Sequence, residues 1–98
     1  MSRRKELLIM LVANYLLNGE DLGVTSYEAR EYFGYNFGIS RASNILRQMY
    51  ANRLLKRKLE VRPSGGRRYR YYLASDGKKK ACYFYMMRHP EIIMIQLD

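Results

Sequence analysis

The chain has 98 residues, 48% of them hydrophobic and 28% charged, with 18 Lys and Arg against 9 Asp and Glu and a formal net charge of +9. That length holds one domain and one core, and the balance is that of a globular chain, not a disordered one. A single cysteine, Cys82, and a single histidine, His89, exclude a disulfide framework and a cysteine-based zinc site and leave little room for His-dependent catalysis.

Residues 3–18 read as a first helix. Its apolar set, from Leu7 to Leu17, covers nearly the whole circumference, so it must be covered on more than one side. The apolar run Leu7 to Ala13 is about a third of the roughly 20 residues a membrane span needs, and no small-residue cleavage site follows it. The expectation is an intracellular chain, cytoplasmic or nucleoid-associated, with no membrane partner. Gly19 to Gly23 is a turn. Thr25-Ser26-Tyr27-Glu28 is a capping box that opens a helix over about 26–33, and Gly34 can take the positive φ that ends it. Tyr35 to Ile39 is a turn held by its own apolar residues.

Ser40 is expected to cap a third helix over about 41–52. Ala42, Ile45, Leu46 and Met49 fall at i, i+3, i+4 and i+7 and form its buried stripe. The opposite face holds Ser40, Asn44, Arg47 and Ala51, flanked by Arg41, Ser43 and Gln48. After Asn52-Arg53 the period changes from 3.6 to 2. Leu55, Leu59 and Val61 are expected inward, with Arg57 a misfit on that side. Pro63 to Gly66 is a turn, and the return run places Tyr69, Tyr71 and Leu73 inward and Arg68, Arg70 and Tyr72 outward. The hairpin spans 54–73. Ser75-Asp76-Gly77 is expected to cap a fourth helix over about 76–88, ended by His89-Pro90. Cys82 is expected to be a small buried residue. An apolar tail, 91–98, is either a strand or a short helix.

The charge is concentrated. From Arg41 to Lys80 there are 13 basic residues against Glu60 and Asp76, giving +11, while the rest of the chain sums to −2. One contiguous stretch thus carries the whole excess, the distribution of an electrostatic footprint for a polyanion: nucleic acid first, an anionic membrane surface second.

The segment GISRASNILRQMYANRLLKRK resembles the recognition helix and following strand of winged helix-turn-helix regulators. GGRRYRYYLASDGKKKA resembles their wing and the cap of the next helix, and GVTSYEAREYFG the opening of their second helix. The likeness covers about residues 6–88 and is similar in layout to small regulators of the MarR and PadR type. One departure is the usual glycine at the end of the third helix, here Arg53 after Asn52; Asn tolerates the left-handed conformation that glycine would supply.

The resemblance implies an α+β, mostly helical fold: a three-helix core, a β-hairpin wing and an additional C-terminal helix. It implies a third helix in the major groove of double-stranded DNA and a wing over backbone or minor groove. Arg pairs with guanine and Asn or Gln with adenine, so Asn44, Arg47 and Gln48, with Ser40, Arg41 and Ser43, are the expected base-proximal set. Arg67 and Arg68 are expected at the minor groove, and Lys56, Lys58, Arg70 and Lys78 to Lys80 at phosphates.

The leading expectation is a sequence-specific regulator. The alternatives are a chromatin-like or partition-type protein with little sequence choice, and a winged helix used for protein contact. An enzyme is not expected, nor a cofactor, a metal or an evident small-molecule effector. A homodimer is expected, built from Leu7, Leu8, Leu11, Tyr15, Phe84, Met87, Ile92, Ile93 and Ile95.

Overall fold

Four helices and one antiparallel hairpin follow one another in the computed structural model, which describes residues 2–34 and 36–91. They are α1 (Arg3–Asn18), α2 (Ser26–Phe33), α3 (Ile39–Ala51), β1 (Leu55–Val61), β2 (Arg67–Leu73) and α4 (Ser75–Arg88). The result is a small α+β fold. The expected tail, with Ile92, Ile93 and Ile95, lies outside the described residues.

α1 is closed at both ends by the local chemistry. The Ser2 hydroxyl accepts from the Lys5 amide at 3.4 Å, and Gly19 at φ 77 turns its amide to the Tyr15 carbonyl at 2.8 Å. Its second side is covered from within the chain. α4 runs antiparallel along it, held at one end by Arg88 on Glu6 at 2.8 Å and at the other by the Lys78 ammonium 5.3 Å above the Tyr15 ring. Leu7, Leu8 and Leu11 are 0%, 2% and 1% exposed. They have no surface to offer a second copy, which corrects their assignment to a dimer interface. A helix that is apolar all round demands two covers, and its pattern does not say that the same chain supplies both.

Residue Val24 adds a rung to the hairpin that no local pattern in the chain announces. Its amide and carbonyl exchange 2.8 Å hydrogen bonds with the carbonyl and amide of Tyr71. Gly23, at φ 70, allows the approach: a Cβ there would stand 2.8 Å from the Tyr71 carbonyl oxygen. The expected capping box then opens α2, with Glu28 donating its amide to Thr25 Oγ1 and accepting from the Thr25 amide. Phe37 is buried in the turn before α3 and packs 4.7 Å from the Phe33 ring. α3 begins earlier than expected. Gly38 is its N-cap and Ser40 is an exposed residue of the first turn, so Ser40 caps nothing.

The break after α3 falls on Arg53, whose φ is 63, while Asn52 stays at φ −84. The left-handed residue is therefore the one that carries a long side chain. The Leu54 amide reaches back to the Met49 carbonyl at 2.9 Å, which holds this exit against the strain. α4 starts at Ser75 with Ala74 as N-cap, so Ser75-Asp76-Gly77 forms its first turn rather than a cap. Gly77 is required there by contact: a Cβ would sit 1.8 Å from the Leu54 carbonyl oxygen. Cys82 is exposed on the outer side of α4, contrary to the expectation that it is buried. The core joins Leu7, Leu8, Leu11 and Val12 to Ala42, Leu46, Met49, Leu55, Tyr71, Leu73 and Ala81.

These two backbone positions predict opposite outcomes. Arg53→Gly relieves a left-handed L-residue and should raise unfolding stability by about 0.5–1 kcal/mol, after the greater freedom of glycine in the unfolded chain is set against it. Gly77→Ala should lower stability by at least about 2 kcal/mol, because backbone must move to admit the methyl group. Urea titration of the two variants measures both.

Candidate functional site

α3 separates its faces cleanly. Ala42, Leu46 and Met49 are buried, while Ser40, Arg41, Asn44, Arg47 and Gln48 are exposed and Ser43 is half-buried. The outward side chains are arranged in pairs. Arg47 donates to the Asn44 side-chain carbonyl, and Arg4 of α1 donates to that of Gln48. The Arg41 guanidinium lies 4.7 Å above the Phe37 ring. From Tyr32 to Leu59 the chain contains no Asp or Glu, so nothing on this helix neutralises its cations.

A groove of about 420 Å³ separates α3 from the hairpin. Ser26 and Tyr27 of α2, Ser40, Ser43 and Arg47 of α3, and Arg57, Arg68 and Tyr69 of the hairpin face it. The Arg57 misfit is resolved here. Its guanidinium is sandwiched between the rings of Tyr50 and Tyr69, at 4.1 and 4.0 Å. Its hydrogen bond with Tyr71 holds its pKa above the usual arginine value. The charge on the inward phase of β1 thus joins α3 to β2. Sequence reasoning assigned Arg57 no part in the site, although a cation on the apolar phase of an alternating strand was the available signal. Arg4 lies far from α3 in sequence and gave no signal.

Other expected site residues are placed elsewhere. Arg70 is 19% exposed and held by Glu60 at 3.0 Å and Glu28 at 2.9 Å, and it donates to the Leu22 carbonyl at 3.4 Å. Arg68 is bound to Glu60 at 2.5 Å. These contacts engage both side chains within the chain, where the expectation put Arg70 at phosphate and Arg68 at the minor groove. Glu60 stands opposite Arg68 in the register, two pairs from Lys58–Arg70 and on the same face, so both guanidinia are diagonal or direct neighbours of one carboxylate. Lys56 and Lys58 are exposed on this reverse face of the hairpin, away from the groove, and the Lys58 ammonium lies 5.8 Å from the Tyr72 ring. Arg67 is exposed beside the Gly65–Gly66 turn, as expected.

Tyr69, Leu59 and Val61 were expected to be inward-facing core. They are on the predicted phase but remain 41%, 51% and 71% exposed: Tyr69 packs on Arg57 at the groove, while Leu59 and Val61 are left open. Of the expected dimer residues, Phe84 packs partly against the core, while Tyr15 and Met87 are exposed at 36% and 59%.

No protein-family model, curated protein or solved structure matches the chain. Among the described residues no helix is long and apolar enough to cross a membrane, and no group of His, Cys, Asp and Glu could hold a metal ion.

The acid limb of stability follows from the ion pairs. The hydrogen bond from Arg70 and then that from Arg68 hold the Glu60 carboxyl below its ordinary pKa; the bond from Arg88 does the same for Glu6. A carboxylate with a depressed folded-state pKa contributes stability above its unfolded pKa, near 4.3, and loses it as pH falls through the folded value. Stability should therefore decline below about pH 4.5. Glu60→Gln should lower stability at neutral pH and make the acid limb shallower, the part due to Glu6 remaining, as thermal unfolding at stepped pH would show.

Proposed function

We propose that this chain is a winged helix-turn-helix protein that binds double-stranded DNA sequence-specifically and acts as a transcription regulator. In this reading α2, the turn at Phe37 and α3 form the helix-turn-helix, β1 and β2 form the wing, and Val24 is a strand reduced to one rung. The observation that carries it is the outward face of α3. Ser40, Arg41, Asn44, Arg47 and Gln48 stand exposed together, with Ser43 half-buried beside them and no carboxylate among them. That residue set can pair with guanine and adenine edges in the major groove, and a helix is the element that fits there. The paired arrangement of Arg47 with Asn44, and of Arg4 with Gln48, supports reading by limiting the side-chain freedom lost on binding. Arg62 and Arg67 at the wing, with Lys78, Lys79 and Lys80 on α4, are left for phosphates; Arg68 and Arg70 are committed to Glu60.

Two sets of variants separate reading from positioning. Arg47→Ala or Asn44→Ala should weaken binding to a duplex selected from random sequence by about 1–3 kcal/mol, with little effect on unrelated duplexes. Arg67→Ala should instead weaken all duplexes alike and lower the salt slope by about one. Equal effects of all three on every duplex would remove α3 as the reading element. A log–log plot of affinity against salt that is flat would remove DNA itself as the partner.

A homodimer belongs to the same proposal, on a smaller surface than the sequence suggested. Tyr15, Leu16 and Leu17 of α1 and Tyr83 and Met87 of α4 are the apolar residues still exposed in that layer. Sedimentation equilibrium at micromolar concentration should give about twice the 11.7 kDa of one chain. A mass of one chain would leave DNA binding to a monomer.

A further inference from the structure

The outer half of the hairpin carries an apolar face that the helices leave largely open, although Tyr69 lines the groove toward α3 and the Arg62 guanidinium lies 5.3 Å above the Tyr27 ring of α2. Leu59 and Tyr69 stand opposite each other, Val61 stands opposite Arg67, and the three apolar residues are 51%, 41% and 71% exposed. Strand alternation puts them on the face shared with Arg57 and Tyr71, the side turned toward α3. Tyr69 itself faces the groove that Ser43 and Arg47 line. Glu60, the one carboxylate of the hairpin strands, is on the reverse face, where Arg68 and Arg70 hold it. The polar face of α3 is thus continued by an apolar surface flanked by arginines and free of acids.

We propose that this surface is a minor-groove wedge. With α3 in the major groove, Leu59, Val61 and Tyr69 press against the sugars and base edges of the neighbouring minor groove, open it and bend the duplex. The inference rests on the DNA reading above.

Length and width both support it. From Arg57 to Val61 a strand advances about 13 Å, close to the roughly 17 Å of half a turn of duplex that separates the two grooves on one side. Two backbones about 4.8 Å apart, with their own thickness added, exceed the roughly 6 Å width of an undistorted minor groove. The ribbon seats face-on only where the groove is widened, and widening by apolar side chains accompanies bends of about 20–90° toward the major groove. Arg67 stands opposite Val61, and the Arg62 guanidinium lies 5.3 Å above the Tyr27 ring; both are near enough to the face to meet phosphates of the widened groove. Charge complementarity selects this occupant, because an apolar face bounded by uncompensated arginines repels a second copy of the same chain. Pyrimidine–purine steps deform most readily, so the wedge favours TA or CA at that position.

The test measures end-to-end energy transfer in labelled duplexes that carry the selected site, with either a TA step or a stiff A-tract half a turn from the α3 contacts. The full chain is compared with Leu59→Thr/Val61→Thr, whose β-branched replacements suit a strand. Wild type should bend the TA duplex by about 20–90°. The double variant should at least halve the bend and lose about tenfold in affinity for the TA duplex, while keeping its preference for the selected site over unrelated sequence.

An unbent complex with wild type, or an equal bend with the variant, would overturn the wedge and leave the reading helix intact. A dimer that becomes a monomer on Leu59→Thr/Val61→Thr would also overturn it, by assigning the face to a second copy. Failure of the wild-type chain to bind any duplex would remove the DNA reading and the wedge together. If circular dichroism shows the double variant unfolded, Val61→Thr alone is read by the same bend, and an unchanged angle overturns the proposal.

Discussion

One guanidinium sets the angle between the hairpin and the helical body. Arg70 holds Glu60 of β1 and Glu28 of α2 at once, and reaches the Leu22 carbonyl in the segment between α1 and α2. Glu28 simultaneously accepts from the Thr25 amide in the capping box. The same carboxylate therefore starts a helix and anchors a strand. Close by, Val24 pairs with Tyr71, and Asp21 accepts from the Leu73 amide at 2.9 Å. The N-terminal half of the chain is fastened to the hairpin through these polar contacts.

The magnitudes assign different tasks to these interactions and to the core. Partly exposed ion pairs contribute about 0–1 kcal/mol each, whereas burying a Leu or Met side chain is worth about 1.5–3 kcal/mol. Leu7, Leu11, Leu46 and Met49, all fully buried, therefore supply the stability. The Arg70 cluster and the sandwich of Arg57 between Tyr50 and Tyr69 supply orientation. Orientation is what the proposed DNA reading needs, because in it α3 and the hairpin meet one rigid duplex together.

The distribution of acids serves the same end. Glu6, Glu28 and Glu60 are each occupied by an arginine, and Asp21 by two backbone amides. These carboxylates are consumed in joining elements, and none lies on the outward face of α3. The +11 of the stretch from Arg41 to Lys80 thus overstates the cations left for a partner, since Arg68 and Arg70 are spent internally.

Local chemistry determined the elements themselves. The period of 3.6 in Ala42, Ile45, Leu46 and Met49, the Thr25–Glu28 capping box and the period of 2 around Pro63 to Gly66 are encoded within a few residues of one another, and each element formed close to its expected bounds. Their outward residues on α3 were legible for the same reason. Covers and partners were decided by tertiary structure, since they come from remote parts of the chain. α4 closed the second side of α1 and withdrew Leu7, Leu8 and Leu11 from any interface. The helices left Leu59, Val61 and Tyr69 partly uncovered on a correctly predicted phase. Arg70 and Gln48 found partners 42 and 44 residues away. Periodicity reports which way a side chain points, and only the packed chain decides what stands there to meet it.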